Sequence, residues 1–96
     1  MKMLLIVYAG AHPSRIPLVL ERHRVDGWTE LDHAHGAGQS GRRKGTRAWP
    51  GDASLYFTAV EGERVPELAD ALRAERDQLP EGESLRVIVM PVDSFI

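Results

Sequence analysis

The amino-acid sequence predicts an α+β domain in which four strands and two helices follow one another in the order βαββαβ. Three apolar runs rich in β-branched and aromatic residues, at 2–8, 53–60 and 85–92, have the composition of strands. Two other stretches carry apolar residues at helical spacing. A chain of 96 residues, 43% of them hydrophobic, has the size and composition of a single globular domain, which we expect to span 1–96.

The first half of the chain supplies the first three elements. The strand at 2–8 is followed by Gly10, which favours a turn. Ser14 is a good helix N-cap, and the apolar residues after it predict a helix that ends at Gly27. The next segment, 28–35, is predicted to be the second strand.

The second half supplies the other three. The strand at 53–60 is followed by a helix predicted over 61–79, and Pro91 in the strand at 85–92 indicates either an edge strand or the end of the strand. This order of elements is the split βαβ arrangement of ferredoxin-like folds. Right-handed crossovers then place both helices on one face of a four-stranded antiparallel sheet.

The strands are apolar on both faces. A sheet that helices cover on one side needs apolar residues on that side only. In the third strand Leu55, Phe57 and Ala59 alternate with a second set of mostly apolar residues, and the first and last strands follow the same pattern. The face without helices would expose a large apolar surface to water, and such surfaces mark interfaces. We therefore expect the chain to form a closed homo-oligomer.

A long loop at 36–52 separates the second and third strands. It is rich in glycine and contains Trp49. Loops of this length usually have a function, and glycine together with arginine suits contact with an anion. The loop is predicted to contact an anion or a partner protein, the alternative being a solvated hairpin tip. Trp49 could stack on a base or a partner, or pin the loop to the sheet. Its basic residues are Arg42, Arg43, Lys44 and Arg47.

Composition excludes several other classes. Outside this loop the chain is acidic, which argues against a broad nucleic-acid footprint. There is no cysteine, so disulfides and thiolate metal sites are excluded. No motif pairs a nucleophile with a histidine, and we expect a protein that is not an enzyme. The apolar N-terminus is too short for a membrane span and lacks a signal-peptide pattern, so a cytoplasmic location is expected.

Two histidines in the second strand allow a metal-binding alternative. His33 and His35 are two residues apart, so their side chains are expected on the same face, and imidazole binds zinc, copper and nickel. A third ligand would come from a neighbouring chain, or from Glu30 or Asp32 if a bulge turns them. The alternative is that both histidines form local hydrogen bonds at the strand end.

Three short segments resemble the PII signalling superfamily. Residues 25–29, VDGWT, resemble the family's entry to its second strand. Residues 36–39, GAGQ, with the following lysine and glycine resemble the start of its mobile loop, and 87–92, VIVMPV, resemble its last strand. The resemblance spans nearly the whole chain, although each motif is short.

The resemblance implies a homotrimer that binds an effector between subunits and signals through the loop at 36–52. The effector would be AMP, ADP, ATP or a small anion such as bicarbonate, and the loop would engage a target protein such as a membrane transporter or an enzyme. Arg86 stands where the family has a phosphate-contacting lysine, and Arg43, Arg47 and Trp49 would contact the target. The other ligand-binding positions would be Thr29, Gly36, Gly38, Gln39, Arg42, Arg43, Lys44 and Arg47. The copper-tolerance CutA family shares this architecture, which gives the metal alternative a precedent.

The chain also departs from the family pattern. The family's glycine-rich nucleotide loop is replaced by residues 79–84, LPEGES, which include two acids. Negative charge where phosphates would approach disfavours ATP relative to a less charged effector. No tyrosine lies between Tyr8 and Tyr56, so the loop tyrosine that some members uridylylate has no counterpart.

Overall fold

The computed structural model describes residues 1–35, 37–38, 41–42 and 52–96. A short 3₁₀ turn, Gly62–Arg64, precedes the second helix. Ala37–Gly38 and Gly41–Arg42 form a small antiparallel ribbon inside the segment that was predicted to be a loop. The elements are β1 (Lys2–Ala9), α1 (Arg15–Arg22), β2 (Thr29–Ala34), β3 (Ala37–Gly38), β4 (Gly41–Arg42), β5 (Ala53–Val60), α2 (Val65–Asp77) and β6 (Ser84–Pro91).

The main sheet has the strand order β2-β5-β1-β6, and every neighbouring pair is antiparallel. This is the order of the ferredoxin-like fold, so the predicted fold class is confirmed. β6 is an edge strand, as its proline indicated. Within the described ranges, α1 and α2 are both too short and too polar to span a bilayer.

The hydrophobic core lies between one face of the sheet and the two helices. Alternate residues of β1 point into it, and α1 and α2 each contribute their buried side chains to the same cluster. Because both helices share this cluster, both cover the same face of the sheet. The fully buried side chains are Leu4, Ile6, Tyr8, Ile16, Val19, Leu20, Tyr56, Leu68 and Leu72.

α1 ends earlier than the sequence indicated. The helix was predicted to continue to Gly27 but ends at Arg22, and Arg24 adopts a left-handed backbone conformation with φ 58°. The guanidinium of Arg64 donates hydrogen bonds to the main-chain carbonyl oxygens of His23 and Arg24. The helix is closed locally, because the Val25 amide donates to the Leu20 carbonyl oxygen and the Arg24 amide to the Glu21 carbonyl oxygen, the pattern of a Schellman end with a residue other than glycine in the left-handed position.

Among the described residues, no helix lies on the other face of the sheet, which we call the open face. Across the strands its side chains form rows, of which one contains Leu31, Leu55, Val7 and Arg86. The exposed fraction is 49% for Leu31 and 42% for Ile88, which lies in the next row. The apolar surface predicted from strand alternation is therefore present in the single chain. The remaining members are Met3, Leu5, Thr29, Phe57, Ala59 and Met90.

The turn after β1 meets the turn before β6 at a tight junction. The buried hydroxyl of Tyr8 donates a hydrogen bond of 2.8 Å to Glu83 Oε1, and Gly10 lies directly beside this pair. A Cβ atom at Gly10 would lie 2.5 Å from Glu83 Oε1 and closer still to the Tyr8 hydroxyl. The sequence therefore needs glycine here because of the close approach.

Gly10→Ala should destabilise the fold because the added methyl group must displace the Tyr8 hydroxyl or the Glu83 carboxylate. Overpacking of this kind costs about 1–3 kcal/mol. The matched control is Gly27→Ala, since a Cβ atom there would have nothing within 4 Å. Urea denaturation at one protein concentration measures both free energies of unfolding. Equal stability of the two variants would contradict the proposed role of Gly10.

Candidate functional site

A cavity of about 390 Å³ opens at the end of the sheet where β1 and β2 end and β5 begins. It lies on the helix-covered side, since Tyr8 and Ser54 of its wall belong to that face. Both ends of the 36–52 segment also meet the sheet here. Glu30, Asp32, His33 and Asp52 supply most of its polar wall, which makes the cavity predominantly acidic.

His33 and His35 both face Asp52, at the opposite end of the 36–52 segment. His33 Nδ1 lies 2.8 Å from Asp52 Oδ2, and His35 Nδ1 lies 3.7 Å from Asp52 Oδ1. The ladder between β2 and β5 shifts register between Leu31 and Ala34, and His33 in this bulge has φ 62°. The carboxylate beside it raises the pKa of His33 through a hydrogen bond and through its charge. One carboxylate thus joins both ends of the segment.

Glu30 and Asp32 form a second polar group on the cavity wall. Ser54 Oγ donates a hydrogen bond of 3.1 Å to Asp32 Oδ1. Desolvation and then the neighbouring Asp32 carboxylate raise the pKa of Glu30. Burial and the nearby charge of Glu30 raise the pKa of Tyr56 to about 12, so its hydroxyl stays protonated and donates to the Pro13 carbonyl. The wall thus contains two acceptors, the Asp32 carboxylate of β2 and the Pro13 carbonyl of the β1–α1 turn, that receive hydrogen bonds from hydroxyl groups of β5.

Within one chain, the described residues predicted to bind an effector do not come together. Thr29 lies at the start of β2, on the open face, at the opposite end of the strand from the 36–52 segment. Arg86 lies on the same face but in β6, at the other edge of the sheet. For Gly38 and Arg42 the structure gives the backbone of β3 and β4. Outside the described residues lie Gly36, Gln39, Arg43, Lys44, Arg47 and Trp49.

The two histidines do not form a metal site with a third ligand in the described part of the chain. In those residues no group of three or more histidine or acidic side chains could hold a metal ion. The expectation that both histidines point the same way agrees with their shared contact to Asp52. Metal binding by His33 and His35 stays a prediction.

Asp52 is the site residue that sequence analysis missed. It is 19 positions from His33, and local periodicity contains no information about that contact. The sequence contained one relevant signal for this residue. Asp52 is the first acidic residue after the basic residues of the loop, the last of which is Arg47. Glu30 and Asp32 were considered only as metal ligands, whereas the structure places them in a cavity wall with Ser54.

The comparisons with known proteins agree with this architecture. No family model matches the chain, and no curated protein matches it in sequence. A structure of CPII from Thiomonas intermedia bound to ADP, AMP and acetate has a TM-score of 0.70 at 24% identity, covering 93% of this chain and 82% of that chain. A second CPII structure, of a nitrogen regulatory PII-like protein bound to ADP, AMP and bicarbonate, has a TM-score of 0.69 at 24% identity and covers 97% and 88%.

A third solved structure, of a functionally unknown protein from Pediococcus pentosaceus, has a TM-score of 0.68 at 17% identity and covers 99% of this chain and 94% of that chain. All these likenesses extend over almost the entire chain. The protein therefore has the fold of PII-like proteins, as its sequence motifs indicated.

The His33–Asp52 contact should be visible in a pH titration. The pKa of His33 should lie above its ordinary value of 6.5, so the contact stabilises the fold below pH 6.5 and this contribution is lost as the pH rises through the folded-state pKa. Asp52→Asn should lower the pKa of His33, and Asp32→Asn should lower it less because the charge of Asp32 is the weakest of the causes. NMR titration of the His33 ring measures both. Asp70→Asn, on α2, is the control, and an unchanged midpoint in Asp52→Asn would contradict the contact.

Proposed function

We propose that this chain is a PII-like regulatory protein that assembles as a homotrimer, binds a small effector between subunits and signals through the 36–52 segment to a target protein. The effector class is an adenine nucleotide or a small anion such as bicarbonate. The observation that carries the proposal is the fold: CPII, with which this chain shares its architecture, is solved with ADP, AMP, acetate and bicarbonate. In this proposal the protein is a regulator and not a catalyst.

The open face supports assembly with further copies of the chain. Leu31, Ile88 and Met90 are exposed on it, and the members of its rows in the two central strands, β5 and β1, are all apolar. Burial of such a surface stabilises by about 25 cal/mol for each Å² removed from water. Copies of the same chain can cover it symmetrically and close into a ring.

The positions of Thr29 and Arg86 support a cleft formed by two subunits. Both lie on the open face but at opposite edges of the sheet, with β5 and β1 between them. Strands in a sheet are about 4.8 Å apart, so these residues are separated by about 14 Å within one chain. In a ring, the β2 edge of one copy can meet the β6 edge of the next, which brings Thr29 and Arg86 to one cleft.

The distribution of charge supports an anionic effector of low charge. Arg86 is the charged member of the open-face rows, and the 36–52 segment supplies the other basic residues. The turn that would face phosphates carries Glu81 and Glu83 instead of glycine and lysine. A mono- or diphosphate nucleotide, or bicarbonate, meets less repulsion there than ATP does.

The contacts of Asp52 support a regulatory role for the 36–52 segment. His33 and His35 hold Asp52 at the base of the segment, on the cavity wall. An effector that favours one arrangement of this base would shift the population of segment conformations that a target protein encounters. The target is proposed to be a protein, such as a membrane transporter or an enzyme, and not a nucleic acid.

Assembly can be tested by placing a charge on the open face. Native mass spectrometry should give three times the 10.7 kDa of one chain for the unmodified protein. Ile88→Arg should lower this mass because it buries an unpaired charge in the interface. Leu18→Arg is the matched control, since Leu18 is 54% exposed but lies on α1. A stable monomer of the unmodified protein would overturn the proposed assembly.

Effector binding can be tested by calorimetry with ADP, AMP and bicarbonate in turn. Arg86→Ala should weaken nucleotide binding by about 10–100-fold, the range expected when a charge-assisted hydrogen bond is lost. Arg73→Ala is the control, because Arg73 pairs with Asp70 on the surface of α2. A trimer that binds none of these ligands would contradict the proposed effector class but would not contradict the proposed assembly.

A further inference from the structure

The turn after β1 holds a carboxylate in the manner of a receptor for a planar oxyanion. The Tyr8 hydroxyl donates a hydrogen bond of 2.8 Å to Glu83 Oε1, and the Ala11 amide nitrogen lies 3.4 Å from Glu83 Oε2. The two oxygens of one carboxylate thus meet two donors from a different part of the chain. Gly10 lies between these donors and lets the carboxylate approach the main chain closely. We call Tyr8, Gly10 and Ala11 the oxyanion nest.

The nest does not need Glu83 to stay in place. The Tyr8 hydroxyl also accepts a hydrogen bond of 3.0 Å from the His12 amide, and the main chain of Tyr8 is paired with both neighbouring strands. Glu83, in contrast, lies in the α2–β6 turn and is held by its side chain and a turn hydrogen bond to Pro80. The Tyr8 donor is therefore fixed by the sheet, whereas Ala11 and Glu83 both lie in turns, and Glu83 reaches the donors only through its side chain.

The nest is also open to the outside. Tyr8, Gly10 and Ala11 all line the 390 Å³ cavity, so a small molecule in that cavity is adjacent to the donors. The volume is far larger than a carboxylate or bicarbonate requires. Displacement of Glu83 would therefore not require any change in the core.

The surrounding charge selects a singly charged ligand. Glu30, Asp32 and Asp52 line the same cavity, and a polyphosphate would add several negative charges to them. A monoanion that replaces the Glu83 carboxylate leaves the local charge unchanged. Arg15 is close enough for its positive charge to act on Tyr8, which favours an anion at the nest.

We propose that the oxyanion nest is a binding site for a small planar monoanion, bicarbonate or a carboxylate, and that Glu83 occupies the nest until the anion displaces it. Displacement frees the α2–β6 turn, which couples anion binding to the conformation of residues 79–84. The inference rests on the proposed function for its regulatory role, but the binding site itself lies within one subunit.

Chemical rescue tests this proposal without nucleotide and without reference to assembly. Glu83→Ala should lower the melting temperature, and bicarbonate, acetate or formate should raise it again in a saturable way at constant ionic strength. Sodium chloride is the salt control, and Glu81→Ala is the matched variant because Glu81 is exposed in the same turn. The Tyr8→Phe/Glu83→Ala double variant should lose the rescue. Comparison of the three anions distinguishes bicarbonate from a carboxylate as the preferred ligand.

Direct binding gives a second readout that does not depend on stability. The Ala11 amide resonance should shift saturably with acetate in Glu83→Ala, with an affinity at least about tenfold higher than in the unmodified protein, where Glu83 competes. If Glu83→Ala does not fold, Glu83→Gln keeps the side-chain volume and one acceptor oxygen, so the Ala11 shift should appear with an affinity between those of Glu83→Ala and the unmodified protein. A folded variant without this shift, or a response equal to that of chloride, would overturn the proposal. The Ala11 shift is measured within one subunit, so it separates failure of this proposal from loss of the trimer or of nucleotide binding.

Discussion

The two helices of this protein can cover only one face of its sheet, and most other features of the molecule depend on this constraint. Leu4 and Ile6 are buried beneath the helices, while Met3 and Leu5 between them face the open side. A strand that is apolar on both faces requires a second layer, and the part of the chain that the structure describes supplies no helix or further sheet to cover the open side. Stability and ligand binding are therefore linked in the proposed assembly, because the contact that buries the open face also forms the clefts.

The strand order brings the functional groups of the chain to one end of the sheet. At that end, three side-chain contacts connect segments far apart in sequence: Tyr8 with Glu83, Ser54 with Asp32, and His33 with Asp52. Each joins a strand end to a turn or to a neighbouring strand end. A ligand that enters the cavity is in contact with the β1–α1 turn and with both ends of the 36–52 segment at once. This geometry explains how a small effector could change a surface that it does not touch.

Much of the fold could be predicted because strands and helices leave local periodic signals. The strand at 53–60 was found at Ala53–Val60, and the open face followed from alternation alone. The predicted end of α1 was wrong because Arg24, which is not a glycine, takes the left-handed position at the helix end, and one contact there comes from Arg64, 40 residues away. The contacts of the candidate site were harder to predict from the sequence for the same reason. Asp52 and Glu83 act through contacts across 19 and 75 residues, and no local pattern encodes such pairs.

The two faces of the sheet carry different charge, so each face can accept a different class of anion. Arg86 lies on the open face, whereas Glu30 and Asp32 line the cavity on the helix side. A nucleotide phosphate is attracted to the first side and repelled by the second. A monoanion in place of the Glu83 carboxylate leaves the charge of the second side unchanged. In the proposed assembly, a nucleotide and a small planar anion therefore need not compete, since each occupies the side that suits its charge. The α2–β6 turn, which leads from Glu83 into β6, would connect the two.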